Sequence, residues 1–209
     1  MASGAERDRL LDRLASRGIS DAVLAAMEAV PRPAFVPAPH RDRAWADRPL
    51  PIDNGQTISA PHMVAMMADE LDLSQGESVL EIGTGCGYHA AVTATLVGAS
   101  NVVSVEVDPE LASAARQRLA ETGYEGVTVV TRDGHEGHPE RAPYDAAYLT
   151  CAAPEFPSAV VDQVRVGGRL LGPLGDRRQT LVFARKTEQG LERSEHGGVR
   201  FVPMRESEF

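Results

Sequence analysis

Ser78-Val79-Leu80-Glu81-Ile82-Gly83-Thr84-Gly85-Cys86-Gly87-Tyr88-His89-Ala90-Ala91 is the stretch that decides the fold. An apolar lead-in meets a tight glycine turn and then an alanine-rich run, which predicts a strand, a turn and a helix gripping a nucleotide-like ligand. Gly83, Gly85 and Gly87 let the backbone approach a ligand with no Cβ in the way. The helix beginning near Tyr88 points unpaired N–H groups at whatever sits there. A dinucleotide turn requires Gly-x-Gly-x-x-Gly, and Tyr88 stands where the third glycine would be. A tyrosine crowds the room a pyrophosphate needs, while Glu81, just before the first glycine, suits a cation. The expected ligand is therefore a sulfonium, as in S-adenosylmethionine.

Working outward, Asn101-Val102-Val103-Ser104-Val105-Glu106-Val107 reads as a β-branched strand ending at Glu106, 19 residues after Gly87. A carboxylate at the tip of the second strand is where a ribose diol is held. Val127 to Thr131 is a further strand, followed by Arg132-Asp133-Gly134. Three strand tips, at Glu81, Glu106 and Asp133 with Gly134, are thus expected to face one crevice at βαβ spacing. The reading is an α/β fold with a doubly wound, mostly parallel sheet, Rossmann-like, of the S-adenosylmethionine-dependent methyltransferase type.

The chain has 209 residues, enough for one α/β domain with a full core and too few for two of ordinary size. Residues 1–75 are expected to form an N-terminal helical cap and substrate-binding segment, and residues 76–209 the cofactor-binding core. The net charge of −9 leaves no basic footprint for a phosphate backbone, so a nucleic-acid substrate is not expected. Cys86 and Cys151 are the only cysteines and form no disulfide framework, which fits a reducing cytoplasm. No apolar run approaches the ~20 residues needed to span a bilayer, and the N-terminus has no apolar signal region. A cytoplasmic monomer is expected. His135 and His138 lie near Glu136, but no cluster of metal-ligand spacing accompanies them, and no metal is expected.

Arg7 to Arg17 reads as a helix stopped by Gly18, and Ala22 to Val30 as a second, capped by Ser20 or Asp21. From Pro31 to Pro51 prolines are dense, and Phe35, Trp45 and Leu50 favour an ordered loop. Ser59 looks like the N-cap of a helix with Pro61 in its first turn and Met63, Met66, Met67 and Leu71 on one face. Helices over Ala90 to Val97, Glu110 to Thr122 and Pro157 to Val164 alternate with strands, among them Tyr144 to Thr150 and Gly167 to Leu171. Thr180 to Ala184 and Val199 to Val202 are expected to close the sheet.

Asp47-Arg48-Pro49-Leu50-Pro51-Ile52-Asp53-Asn54-Gly55-Gln56-Thr57-Ile58-Ser59-Ala60-Pro61-His62-Met63 is not general to methyltransferases. It closely resembles the signature of protein-L-isoaspartate O-methyltransferases, which repair damaged aspartyl and asparaginyl residues. The likeness continues in Val30-Pro31-Arg32, Phe35-Val36-Pro37, the glycine turn, Arg132-Asp133-Gly134, Ala152-Ala153-Pro154-Glu155, Gly167-Gly168-Arg169-Leu170 and Gly198-Val199-Arg200-Phe201-Val202-Pro203. The resemblance implies Ser59 as the active-site residue within a substrate segment of Gln56, Thr57 and Ile58. His62, Val199 and Arg200 are further substrate-binding candidates. It implies a cofactor site on Glu81, Gly83, Thr84, Gly85, Cys86, Gly87, Glu106, Asp133, Gly134 and Gln179. Four positions depart from the family pattern: Val64 where many relatives carry a second histidine, Cys86 and His89 where serine and leucine are frequent, and Val166 in place of a common proline.

The implied reaction is attack of a carboxylate on a sulfonium methyl. Its nucleophile is already ionised at pH 7, because side-chain carboxyl groups titrate near pH 4. No general base is required. The protein has to hold oxygen and methyl in line, at about 3 Å, and keep water away from the carboxylate. Thr57 and Ser59 can position an oxygen without proton transfer, and Gly198 to Phe201 are expected to clasp the substrate backbone from the other side. As the family implies, the ester then closes to a succinimide, whose hydrolysis returns some normal aspartate. Three rival functions share parts of this pattern: a tailoring enzyme that esterifies aspartate in a precursor peptide, a non-catalytic cofactor-binding module, and a nicotinamide oxidoreductase. The short run after Pro203, the intact Thr57-Ile58-Ser59 and Tyr88 respectively disfavour them.

Overall fold

The computed structural model describes residues 2–206. Two helices, α1 (Ala2–Ala15) and α2 (Asp21–Ala29), open the chain. The proline-dense stretch that follows is ordered as two 3-10 turns, Arg32–Phe35 and Ala38–Arg43, whose φ values suit proline. A small hairpin pairs β1 (Leu50–Pro51) with β2 (Thr57–Ile58), and α3 (Pro61–Leu71) leaves it. The N-cap of α3 is Ala60, with no side-chain cap bond. Ser59 is thus one residue too early to cap the helix, because Pro61 takes the first helical position and shifts the start.

The βαβ series is β3 (Val79–Ile82), α4 (Tyr88–Val97), β4 (Val102–Glu106), α5 (Pro109–Glu121) and β5 (Thr128–Thr131). It continues with β6 (Tyr144–Leu149), α6 (Ser158–Gln163), β7 (Val164–Leu174), β8 (Gln179–Thr187) and β9 (Gly190–Val199). The seven-stranded sheet runs β5-β4-β3-β6-β7-β8-β9. Its pairs are parallel from β5 to β7 and antiparallel from β7 to β9. The closing strand is Gly190–Val199 rather than Val199 to Val202. Beyond Val199 the chain leaves the edge and crosses back to the tip of β6, where Ala152 bridges Pro203. The two-residue period of a strand cannot see such a return.

Pleating divides the apolar residues between two cores. Val79, Val102, Ala146 and Tyr148 face one side, together with Leu10, Leu14, Met27, Phe35, Val64, Met67 and Val92. Leu80, Ile82, Val103, Val105, Ala147 and Leu149 face the other, with Phe156 and Val160. The N-terminal helices therefore share a core with the sheet. Strand order reverses between β3 and β6, which opens a crevice at the carboxyl ends of the parallel strands. Among the described residues no helix is long and apolar enough to cross a membrane.

Candidate active site

The glycine turn leaves β3 pinned to its neighbours. Gly83 and Thr84 donate their N–H groups to the Val105 carbonyl at 2.8 and 3.2 Å, and the Thr150 hydroxyl donates to the Gly83 carbonyl. Gly83 has φ +99°, and a Cβ there would collide with that hydroxyl, so only glycine fits. Gly87 sits at φ +89° as the N-cap of α4 and backs onto Leu119.

Glu81 is placed by register. It lies opposite Ser104 on β4 and Tyr148 on β6, and the pleat points all three toward α4. The Tyr148 hydroxyl donates to Glu81 Oε1 at 2.9 Å, and the Ser104 hydroxyl donates to Oε2. Thr93 on α4 reaches Tyr148 at 2.9 Å, and Thr84 reaches Ser104 at 2.6 Å. The carboxyl is fully buried, and burial pushes its pKa up to about 8 against the pull of its two hydroxyl donors. Glu81 therefore does not reach the crevice as the sequence suggested; it supports the floor beneath the turn.

Above this row lies a cavity of about 770 Å³, its open mouth included. Gly83, Thr84, Gly85 and Cys86 form one wall, and Gln56, Thr57, Ile58 and Ser59 form the facing one. Glu106 and Gly134 line the end toward β5, and Thr150 and Cys151 the end toward β6. Glu106 is 6% exposed, and its oxygens accept from Gly85 N–H at 2.8 Å and Asp108 N–H at 3.1 Å. A carboxylate has about four acceptor positions, so two remain for a diol. Burial, with Glu106 and Glu81 nearby, pushes the Cys151 thiol up to about 12, and burial raises Cys86 too, so both are inert thiols.

The segment carrying Ser59 is held from below by Arg32, a residue with no exposed surface. Its guanidinium donates to the Ala44 and Ser59 carbonyls, each at 2.7 Å, and lies 4.6 Å from the centre of the Tyr88 ring. The Ser59 hydroxyl makes no hydrogen bond to the protein among the described residues, and its side chain is half-buried at the cavity. The hairpin tip docks on α5 through Asn54 Nδ2 and Asp108 Oδ2 at 2.9 Å. Arg205 reaches the same Asp108 oxygen at 3.3 Å. One carboxylate, itself the N-cap of α5, thereby ties the β1–β2 hairpin to the C-terminal segment.

The chain matches the Protein-L-isoaspartate(D-aspartate) O-methyltransferase (PCMT) family over residues 5–209. It belongs to that family. It is 49% identical over 203 residues to protein-L-isoaspartate O-methyltransferase 2 of Archaeoglobus fulgidus, covering 96% of this chain and 93% of the relative. It is 50% identical over 204 residues to the protein-L-isoaspartate O-methyltransferase of Methanopyrus kandleri, covering 95% and 90%. Among solved structures, a protein-L-isoaspartate O-methyltransferase superposes with a TM-score of 0.86 at 31% identity. That match covers 94% of this chain and 65% of the other. A beta-aspartate methyltransferase from Plasmodium falciparum, in complex with S-adenosyl-L-homocysteine, superposes with a TM-score of 0.83 at 25% identity, covering 94% and 97%. The fold is accordingly the Rossmann-like methyltransferase type.

The structure gathers ten of the expected family residues around the cavity: Gln56, Thr57, Ile58, Ser59, Gly83, Thr84, Gly85, Cys86, Glu106 and Gly134. Seven lie off it. Glu81 and Gly87 sit behind the turn. Asp133 caps the short turn Gly134–Glu136, accepting from His135 N–H at 2.8 Å. His62 is engaged by Asp47, whose Oδ1 lies 2.9 Å from its backbone N–H and 2.8 Å from Nδ1. Gln179 grips the Phe201 backbone, accepting its N–H at 2.6 Å and donating to its carbonyl at 3.1 Å. Val199 ends β9 and Arg200 is exposed. The far wall is instead Val202, Pro203, Met204 and Arg205, held by Ala152 through bonds to Val202 and Met204 at 2.8 and 2.7 Å. These residues lie four residues beyond the clasp expected at Gly198 to Phe201, since Gln179 anchors Phe201 outside the cavity. Tyr88 and His89 also line the cavity; their place straight after the glycine turn was the available signal. Among the described residues no three His, Cys, Asp or Glu side chains gather as metal ligands.

Proposed function

We propose that the cavity between the Gln56–Ser59 segment and the glycine turn is where this chain methylates the free carboxylate of L-isoaspartyl residues in damaged proteins and peptides. The chain is a protein-L-isoaspartate O-methyltransferase that uses S-adenosylmethionine. The observation that carries the site assignment is the facing of the family's substrate segment and its glycine turn across one cavity.

The residues present fit the cofactor. Gly85 leaves its path clear of a side chain, and Glu106 keeps acceptor positions for a ribose diol. When bound, S-adenosylmethionine supplies a methyl group on a sulfonium, an electrophile that needs no further activation. The protein's part is positioning. Ser59, with its hydroxyl uncommitted, donates to the substrate carboxylate and orients one oxygen. Arg32 fixes the Ser59 carbonyl, which sets where the hydroxyl sits. Ile58, Val64, Ile82, Val105, Val202 and Met204 form apolar walls that exclude water from the nucleophile. Val202 to Arg205, extended along the β6 tip, is the second wall of the peptide groove.

The test is methyl transfer to one peptide made with isoaspartate, aspartate and D-aspartate, by wild type and Ser59→Ala. Isoaspartate should be favoured over aspartate by about 100-fold, roughly 3 kcal/mol. Ser59→Ala should slow transfer by about one to three powers of ten. Its melting temperature should hold, because Ser59 caps nothing. Equal rates on both isomers would shift the reading to precursor-peptide tailoring, and an unchanged Ser59→Ala rate would remove Ser59 from the site. A cytoplasmic monomer belongs to the same proposal, supported by two buried free thiols and a net charge of −9. Size-exclusion light scattering and cell fractionation test it.

A further inference from the structure

His89 stands on the first turn of α4 with 7% of its surface exposed, and it lines the cavity. Neither ring nitrogen has a hydrogen-bond partner among the described residues. Its ring packs on Tyr148, centroids 4.6 Å apart, on the face of the sheet that carries Glu81. A buried imidazole with both nitrogens idle is costly to leave so, and such groups are met by a bound water, an ion or a ligand. Burial pushes the His89 pKa down to about 3, which keeps the ring neutral near pH 7, with one nitrogen a donor and the other an acceptor.

The sheet order narrows which part of a ligand meets it. Strand tips follow one another along the crevice as β5, β4, β3, β6. Glu106 ends β4, so a ribose held there leaves one of the nucleoside's two substituents, base or 5′ arm, on the side of β3 and β6. His89 lies at that end, beside Tyr148 of β6. Val64, which also lines the cavity, offers no polar atom. We propose that His89 binds the amino-acid arm of the cofactor, accepting from its ammonium or donating to its carboxylate. The inference rests on the methyltransferase reading above and adds a cofactor contact to it.

Calorimetric titration of the full chain with S-adenosylhomocysteine and with 5′-methylthioadenosine, which lacks the amino-acid arm, tests this. His89→Phe keeps a ring against Tyr148 and removes both nitrogens. It should weaken S-adenosylhomocysteine by about 10- to 100-fold and methylthioadenosine by less than about threefold. His89→Gln should recover most of the loss. The ligand-free melting temperature of His89→Phe should equal or exceed the wild-type value, because an idle polar pair is replaced by an apolar ring. Should the phenylalanine variant fail to fold, His89→Leu carries the same comparison. S-adenosylhomocysteine affinity within about threefold of wild type, or equal losses for both nucleosides, overturns the proposal. Wild-type protein that binds neither compound would overturn the methyltransferase reading itself.

Discussion

Replacing Glu81 by glutamine should remove a pH dependence that this one carboxyl imposes on the ligand-free protein. Burial holds its pKa at about 8 in the fold, against 4.5 for an unperturbed glutamate. Between those values the folded chain carries a proton that the unfolded chain has released. Rising pH therefore favours unfolding, and the stability tied to the protonated group, complete below pH 4.5, is lost as pH climbs through 8. A shift of about 3.5 units at ~1.4 kcal/mol per unit gives a fall on the order of 3 to 4 kcal/mol between pH 5 and 8. That is a large share of the 5–15 kcal/mol typical of a domain, roughly speaking. Glutamine mimics the protonated carboxyl between Ser104 and Tyr148, so its variant should be level where the wild type declines. Urea unfolding of both proteins at pH 5, 6, 7 and 8 reads the difference, and subtracting one from the other cancels the remaining titrations. A wild-type minus variant difference that stays constant across that range refutes the reasoning: it would mean that the two hydroxyl donors outweigh burial and keep Glu81 ionised.

Arg32→Met should cost about 2–4 kcal/mol, because two charge-assisted bonds and a contact with Tyr88 are lost. Its kcat should drop while S-adenosylhomocysteine affinity changes little, since the carbonyl released at Ser59 belongs to the proposed substrate wall; an unchanged melting temperature would contradict this. Gly85→Val should fold yet lose cofactor binding. A Cβ there meets only Ile52 Cδ1 at 3.6 Å, so the added bulk enters the cavity at the cost of strained backbone at φ +55°. Gly83→Ala meets the Thr150 hydroxyl instead and should lower the melting temperature more than Gly85→Val; the opposite order in thermal unfolding would overturn the packing argument.

The local elements were legible in the chain because helices and strands announce themselves by short periods and by glycine and proline at their ends. The run from Val79 to Val97 shows this, with its strand, turn and helix within a residue or two of the structure. Glu106 and Gly134 were readable for the same reason, lying where a strand stops. Residue-level roles that depend on lateral pairing were not. Glu81 looks like a tip acid in sequence, and only the register with Ser104 and Tyr148 turns it inward. Ser59 reads as a cap until Pro61 shows where the helix begins.

The sequence by itself determined the sheet's parallel core, the cofactor turn and the segment that faces it, since each is encoded within about ten neighbouring residues. Tertiary structure alone decided that Gln179 anchors Phe201, that Val202 to Arg205 wall the cavity, and that Asp108 joins this segment to the hairpin at Asn54. Those contacts link positions tens of residues apart, and no local pattern records them. They arise when strand order and register bring distant backbone polar groups together, each of which needs a partner once water has been excluded.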